Sequence, residues 1–142
     1  MSFTGTFRHT IDAKGRLIVP SRLRDEIADD KVVLTKWAEG CIALWSQEHW
    51  DKLVAALLEQ PHGDAGARRI KRQLGAWAHS ESVDRQGRIG IPTELASYAG
   101  LDRETVIIGA IDHAEIWDPE AYMRVEQQAP GSFDEVLEGL PI

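Results

Sequence analysis

Residues 12–23 read DAKGRLIVPSRL, and residues 84–95 read DRQGRIGIPTEL. Both follow D-x-x-G-R-φ-x-φ-P-[ST]-x-L, where φ is aliphatic. Asp12, Gly15, Arg16, Pro20 and Leu23 recur as Asp84, Gly87, Arg88, Pro92 and Leu95, an offset of 72 residues. The same offset carries Trp45 to Trp117, Glu48 to Glu120 and Trp50 to Tyr122. One offset held that far along the chain marks an internal duplication, so the molecule reads as two similar halves. Pro61, Gly63 and Gly66 cluster at the joint.

Each half predicts the same order of elements. A short strand ends at the aspartate (HTID, ESVD), a tight turn follows, and a second strand leaves it (RLIVP, RIGIP). A short helix starts near Ser21 or Thr93, which serve as N-caps in this reading. Another extended stretch (VVLTK, TVIIGA) precedes a strand that ends at tryptophan (CIALW, AEIW). A further helix follows, capped by Ser46 or Asp118, with Pro119 at its first position. In the first half Trp50, Leu53, Val54, Leu57 and Leu58 form the stripe of a half-buried helix. Ile70, Leu74 and Trp77 predict an amphipathic packing helix over 67–78, despite the basic run ARRIKRQ. The resulting division is residues 1–60 for the first half, 61–79 for linker and packing helix, and 80–128 for the second half. Residues 129–142 form an acidic tail, expected to be loosely ordered.

The chain has 142 residues, 43% of them hydrophobic, which suits one domain or two very small ones. No apolar run reaches the length of a membrane span, and MSFTGTFRHT carries no signal-peptide core. The single cysteine, Cys41, forms no C-x-x-C pair and lies in an apolar strand, so it reads as an inert buried thiol of a cytoplasmic protein. The net charge of −7 argues against a nucleic-acid partner, but its distribution does not. From Arg8 to Arg24 five positive residues (Arg8, Lys14, Arg16, Arg22, Arg24) face one negative, Asp12. From Asp112 to Ile142 eight negative residues face one positive. Such asymmetry is a better guide to partners than the total.

The motif itself has a physical reading. Three residues between aspartate and arginine make a hairpin loop whose last position is left-handed, which is where Gly15 and Gly87 fall. The aspartate can accept turn amides and hold the guanidinium, so that the arginine is pre-organised at a hairpin tip. Alone, either copy is better explained as a salt-bridged turn with no further role. Its recurrence, and the basic patch around the first copy, favour contact with phosphates and guanine edges. The second copy is poorer in charge: over Ser80–Ala96, Arg85 and Arg88 face Glu81, Asp84 and Glu94. The first copy is therefore the expected reader, through Asp12, Lys14, Gly15, Arg16, Arg8, Arg22 and Arg24. Asp84, Gly87 and Arg88 are expected to be structural or to make a secondary contact.

With its two D-x-x-x-R motifs, its G-R-φ-x-φ-P tails and both tryptophan-terminated strands, the chain resembles the MraZ family from about Phe7 to Tyr122. More broadly it resembles the AbrB-like swapped-hairpin DNA-binding domains. The resemblance implies an α+β chain of two tandem β-α-β halves that form an intrachain pseudo-dimer, a double-split swapped-hairpin barrel. It further implies a cytoplasmic, nucleoid-associated transcriptional regulator. That regulator would bind short direct repeats in double-stranded DNA ahead of the division and cell-wall gene cluster, through Asp12, Lys14, Gly15 and Arg16. The partner set is DNA and self, in a ring-shaped homo-oligomer of octamer size or larger, with no membrane and no cofactor.

Enzyme signatures are lacking. The five histidines form no H-x-x-x-H or H-E-x-x-H, and no G-x-S-x-G, P-loop or G-x-G-x-x-G occurs. His79-Ser80-Glu81 begins like a deaminase signature, but no P-C-x-x-C follows. His49 reads as a surface residue and no metal site is expected. The competing function is an AbrB-like protein-interaction or antitoxin-type module with no operator of its own.

Overall fold

Alternation along Thr6–Thr10 buries every second residue in part, as a half-covered edge strand requires. This is β1 of a computed structural model that describes residues 2–142. There follow β2 (Arg16–Ile18), α1 (Ser21–Arg24), β3 (Lys31–Trp37), β4 (Cys41–Ser46) and α2 (Gln47–Leu58). Helix α3 (Ala65–Trp77) crosses to the second half: β5 (His79–Ser82), β6 (Arg88–Gly90), α4 (Thr93–Tyr98), β7 (Glu104–Gly109), β8 (Ala114–Trp117) and α5 (Pro119–Gln128). The chain closes with α6 (Phe133–Glu138).

The fold is α+β, with six strands in the order β1-β7-β8-β4-β3-β5 and a separate ribbon of β2 and β6. Every pairing is antiparallel. The halves exchange edges: β1 of the first pairs with β7 of the second, and β5 of the second pairs with β3 of the first. The two junctions between like strands are centred on repeat-equivalent residues, Leu17 opposite Ile89 in the ribbon and Ala43 opposite Glu115 in the sheet. A pseudo-twofold therefore runs through both.

One face of the sheet is covered by the ribbon, α1 and α4. Leu17, Val19, Leu23, Ile89, Ile91 and Leu95 meet Leu34, Leu44, Ile107 and Ile116 there in the main core. Helices cover the other face. Val33, Ala43 and Trp45 pack with Trp50 and Leu53, while Val106 and Trp117 pack with Tyr122 and Val125. Central β4 is thus buried along its whole length, which explains the unbroken apolar run CIALW. Cys41 is fully buried there, and burial pushes its thiol up, out of the nucleophilic range.

Several sequence expectations shift. Ser46 and Asp118 cap α2 and α5 as read, accepting from the His49 and Ala121 amides. Ser21 and Thr93 do not cap; they are the first helical residues. Pro20 and Pro92, with φ −53° and −56° and extended ψ, take the cap position without a side-chain bond. The offset of 72 is interrupted: Val33 pairs with Trp45 and Ser80, whereas Val106 pairs with Trp117 and Arg8, so β7 runs at 73. One residue inserted before β7 is removed again in the β7–β8 turn. His49 is half-buried, with Nδ1 2.9 Å from Ser46 Oγ and its ring edge-on to Phe3. In the acidic tail α6 is held by a capping box between Ser132 and Glu135.

Candidate nucleic-acid interface

In the first turn the Gly15 amide donates to the Asp12 carbonyl and the Asp12 amide to the Arg16 carbonyl. Asp12 Oδ1 accepts from the Lys14 and Arg16 amides, each at 2.9 Å, and Oδ2 accepts from Arg16 Nε at 3.0 Å. Gly15 has φ +76°, where a side chain is strained. The second turn repeats this bond for bond. Asp84 Oδ1 accepts from Gln86 and Arg88 at 2.9 Å, Oδ2 from Arg88 Nε at 3.0 Å, and Gly87 has φ +80°. Because the aspartate engages only Nε, each guanidinium keeps its two terminal nitrogens for another acceptor.

Amide donation lowers both carboxyls below their ordinary range, from Arg16 first for Asp12 and from Arg88 first for Asp84; the neighbouring guanidiniums act in the same direction. The aspartates are therefore ionised at neutral pH and each holds its arginine in one orientation.

The ribbon brings the turns side by side. The Val19 amide donates to the Gly87 carbonyl and the Ile91 amide to the Gly15 carbonyl, both at 2.8 Å. Arg88 Nη1 lies 3.9 Å from Asp12 Oδ2, so one guanidinium touches both motifs. Arg16 makes no matching ion pair with Asp84 among the described residues.

Strand exchange also redistributes the first-half cations. A Cβ on Gly87 would sit 2.8 Å from Arg24 Nη1, so the Arg24 guanidinium lies over the second turn, not the first. Above Gly15 the nearest atom is the Ile91 carbonyl oxygen at 3.8 Å. The repeat partner of Arg24 is Ala96, which leaves the first turn bare. Arg22 stacks over Phe7 at 5.9 Å. Arg8 stands opposite buried Val106 and so faces the α5 side of the sheet, away from the ribbon. Of the residues nominated from sequence, Asp12, Lys14, Gly15, Arg16, Arg24, Asp84, Gly87 and Arg88 come together; Arg22 turns aside and Arg8 stands apart. Arg85, inside the second motif, is also exposed in its turn, and the charge balance of its segment gives no sign of it.

A model of the family described as "MraZ protein, putative antitoxin-like" matches residues 2–73 and 76–139. The chain belongs to the MraZ family. Among its MraZ relatives, proteins named "Transcriptional regulator MraZ" from Lactobacillus helveticus and Desulforamulus reducens are each 39% identical over 138 residues. One of the same name from Leuconostoc citreum is 37% identical. Each alignment covers 97% of this chain and 96% of the relative.

No helix among the described residues is long and apolar enough to cross a membrane, and no group of three or more His, Cys, Asp or Glu there is placed to hold a metal ion.

Proposed function

We propose that this chain is a transcriptional regulator that reads DNA with both turns of its ribbon as one surface. The observation that carries the reading is the pairing of two pre-organised arginines, Arg16 and Arg88, on adjacent hairpin tips. Around them Lys14, Arg24 and Arg85 add charge, so that five cations face two aspartates on a chain of net charge −7. The terminal nitrogens of each guanidinium suit guanine O6 and N7 or a phosphate. The relatives' printed name supports regulation of transcription.

The finer reading follows the family resemblance. The exchanged strands are those of an AbrB-like swapped hairpin, with residues 1–60 and 80–128 as its two halves. The DNA target is a set of short direct repeats ahead of the division and cell-wall gene cluster, engaged on the nucleoid by a ring of identical subunits. One surface of five cations neutralises few phosphates, so tight binding at cellular salt needs several copies acting together.

The family description favours a second reading, an antitoxin-type module whose surface takes a protein. Titration of the DNA ahead of its own gene, at several salt concentrations and against a scrambled fragment, separates the two. A regulator prefers its own fragment and loses affinity steeply with salt. Equal, weak binding to both fragments would leave the protein-partner reading standing.

A further inference from the structure

Helix α6 buries none of its residues, and its apolar side faces only the end of α5, at Glu126, Ala129 and Pro130, across an open hollow of 290 Å³. Phe133, Val136, Leu137 and Leu140 fall at i, i+3, i+4 and i+7 and are 79%, 53%, 41% and 51% exposed. The other side carries Asp134, Glu135 and Glu138. A helix of six residues is marginal in water even when capped, and an apolar stripe on it has no reason to stay dry without a partner.

The same chain carries an open apolar groove of 510 Å³ between α2 and α3. Leu53, Leu57, Ile70 and Leu74 line its walls, with Trp37 and Tyr98 at one end. It exists because α2 buries no residue fully and α3 buries only Leu74, leaving Ile70 47% exposed. Its rim is basic. Lys36 lies over the rings of Trp77 and Tyr98, and Arg69 belongs to the ARRIKRQ run of α3. An acidic amphipathic helix and a basic-rimmed apolar groove are complementary in shape class and in sign.

We propose that α6 of one copy docks in the α2–α3 groove of a second copy. The apolar stripe enters the groove, and Asp134, which flanks the stripe beside Leu137, meets the basic rim at Arg69. Such a contact joins unlike surfaces head to tail, so repeated copies close into a ring or extend. The inference rests on the self-association part of the reading above and not on the DNA part.

The test uses full-length chains and native mass measurement. Leu137→Asp spoils the helix and Ile70→Asp spoils the groove; both sites are solvent-facing in the single chain, and unchanged melting confirms the fold. Each variant alone is expected to fall to single chains. Mixed in equal amounts they form a two-chain species, because the intact helix of the groove variant meets the intact groove of the helix variant. As a second arm, Asp134→Lys, which leaves the Ser132–Glu135 capping box intact, lowers the assembled fraction and Arg69→Glu in the same chain restores it. Unchanged mass in the single variants overturns the contact while leaving self-association by another surface. A mixture that stays monomeric overturns it in favour of docking within one chain. A monomeric wild type removes both the contact and the ring, and binding to a one-repeat duplex still reports on the DNA reading.

Discussion

Asp12 and Asp84 each accept two turn amides at 2.9 Å and one arginine Nε at 3.0 Å. What surrounds the two turns is not alike. Over Gly87 lies Arg24, and beside it Arg85; over Gly15 lies only a carbonyl, with Lys14 at the tip. The five-residue motif determines the turn, because all its bonds are local. The charge around it is decided by which strand pairs with which, a property of contacts some seventy residues apart. Counting charges along the chain places Arg24 with the first turn; exchange of strands delivers it to the second.

The largest expected effects come from the two motif arginines. Arg16→Ala should cut DNA affinity by about 1–3 kcal/mol per contacted site, and more when several copies bind one array. If the ribbon is one surface, Arg88→Ala costs a similar amount with the fold and subunit number unchanged. Fluorescence anisotropy on the two variants decides this. Full affinity in the Arg88 variant would return the second turn to a purely architectural role and restore the ranking expected from charge counting.

Next come the glycines. Alanine at a left-handed position costs about 1–2 kcal/mol, so Gly15→Ala and Gly87→Ala should each lower the melting temperature by several degrees. Only Gly87→Ala must also push Arg24 aside, since its new Cβ would lie 2.8 Å from Nη1. That variant should lose DNA affinity beyond its stability loss, by an amount that Arg24→Ala reproduces. Equal behaviour of the two alanine variants at both readouts would show that Arg24 contributes nothing over the second turn.

A smaller effect belongs to Arg24 itself. As a phosphate contact it should reduce the salt slope of binding by about one unit when removed. Ala96→Arg, at the repeat-equivalent position, should raise the slope by a similar amount by placing a cation over Gly15. No change in slope from either variant would mean that the positions flanking the turns do not approach the backbone of the duplex.

Much of this was legible in the sequence, and the misses share a cause. The turns, the left-handed glycines, the Ser46 and Asp118 caps and the apolar centre at CIALW depend on neighbours within a few residues. Closeness in sequence groups Arg8 and Arg22 with the tip. Alternation along β1 sends Arg8 to the far face, and Phe7 draws Arg22 over its ring. The single-residue slip of β7 is masked because the motif before it and the tryptophan-ended strand after it both keep the offset of 72. Arg85 stands inside the motif, but the net charge of −1 over Ser80–Ala96 masks it.

The smallest expected effect compares the turns in acid. Both carboxyls are held low, first by the backbone amide of the motif arginine. A carboxyl depressed in the folded state contributes stability that is fully present above its unfolded value, about 3.9 for aspartate, and that is lost as pH falls through the folded value. Both turns should therefore stay intact through neutral and mildly acid conditions and loosen only below about pH 4. Both aspartates are solvent-facing, so the loss to global stability is slight, and the readout must be local: the Gly15 and Gly87 amide resonances followed through an acid titration. Because the hydrogen bonds of the two turns match in length, the two glycines should shift together even though Arg88 also reaches Asp12 at 3.9 Å. Asp12→Asn should abolish the transition at Gly15 and leave that at Gly87, and Asp84→Asn the reverse. If Asp12 instead titrates well below Asp84, the cross-contact from Arg88 is a strong one, and the two turns are coupled electrostatically as well as through the ribbon.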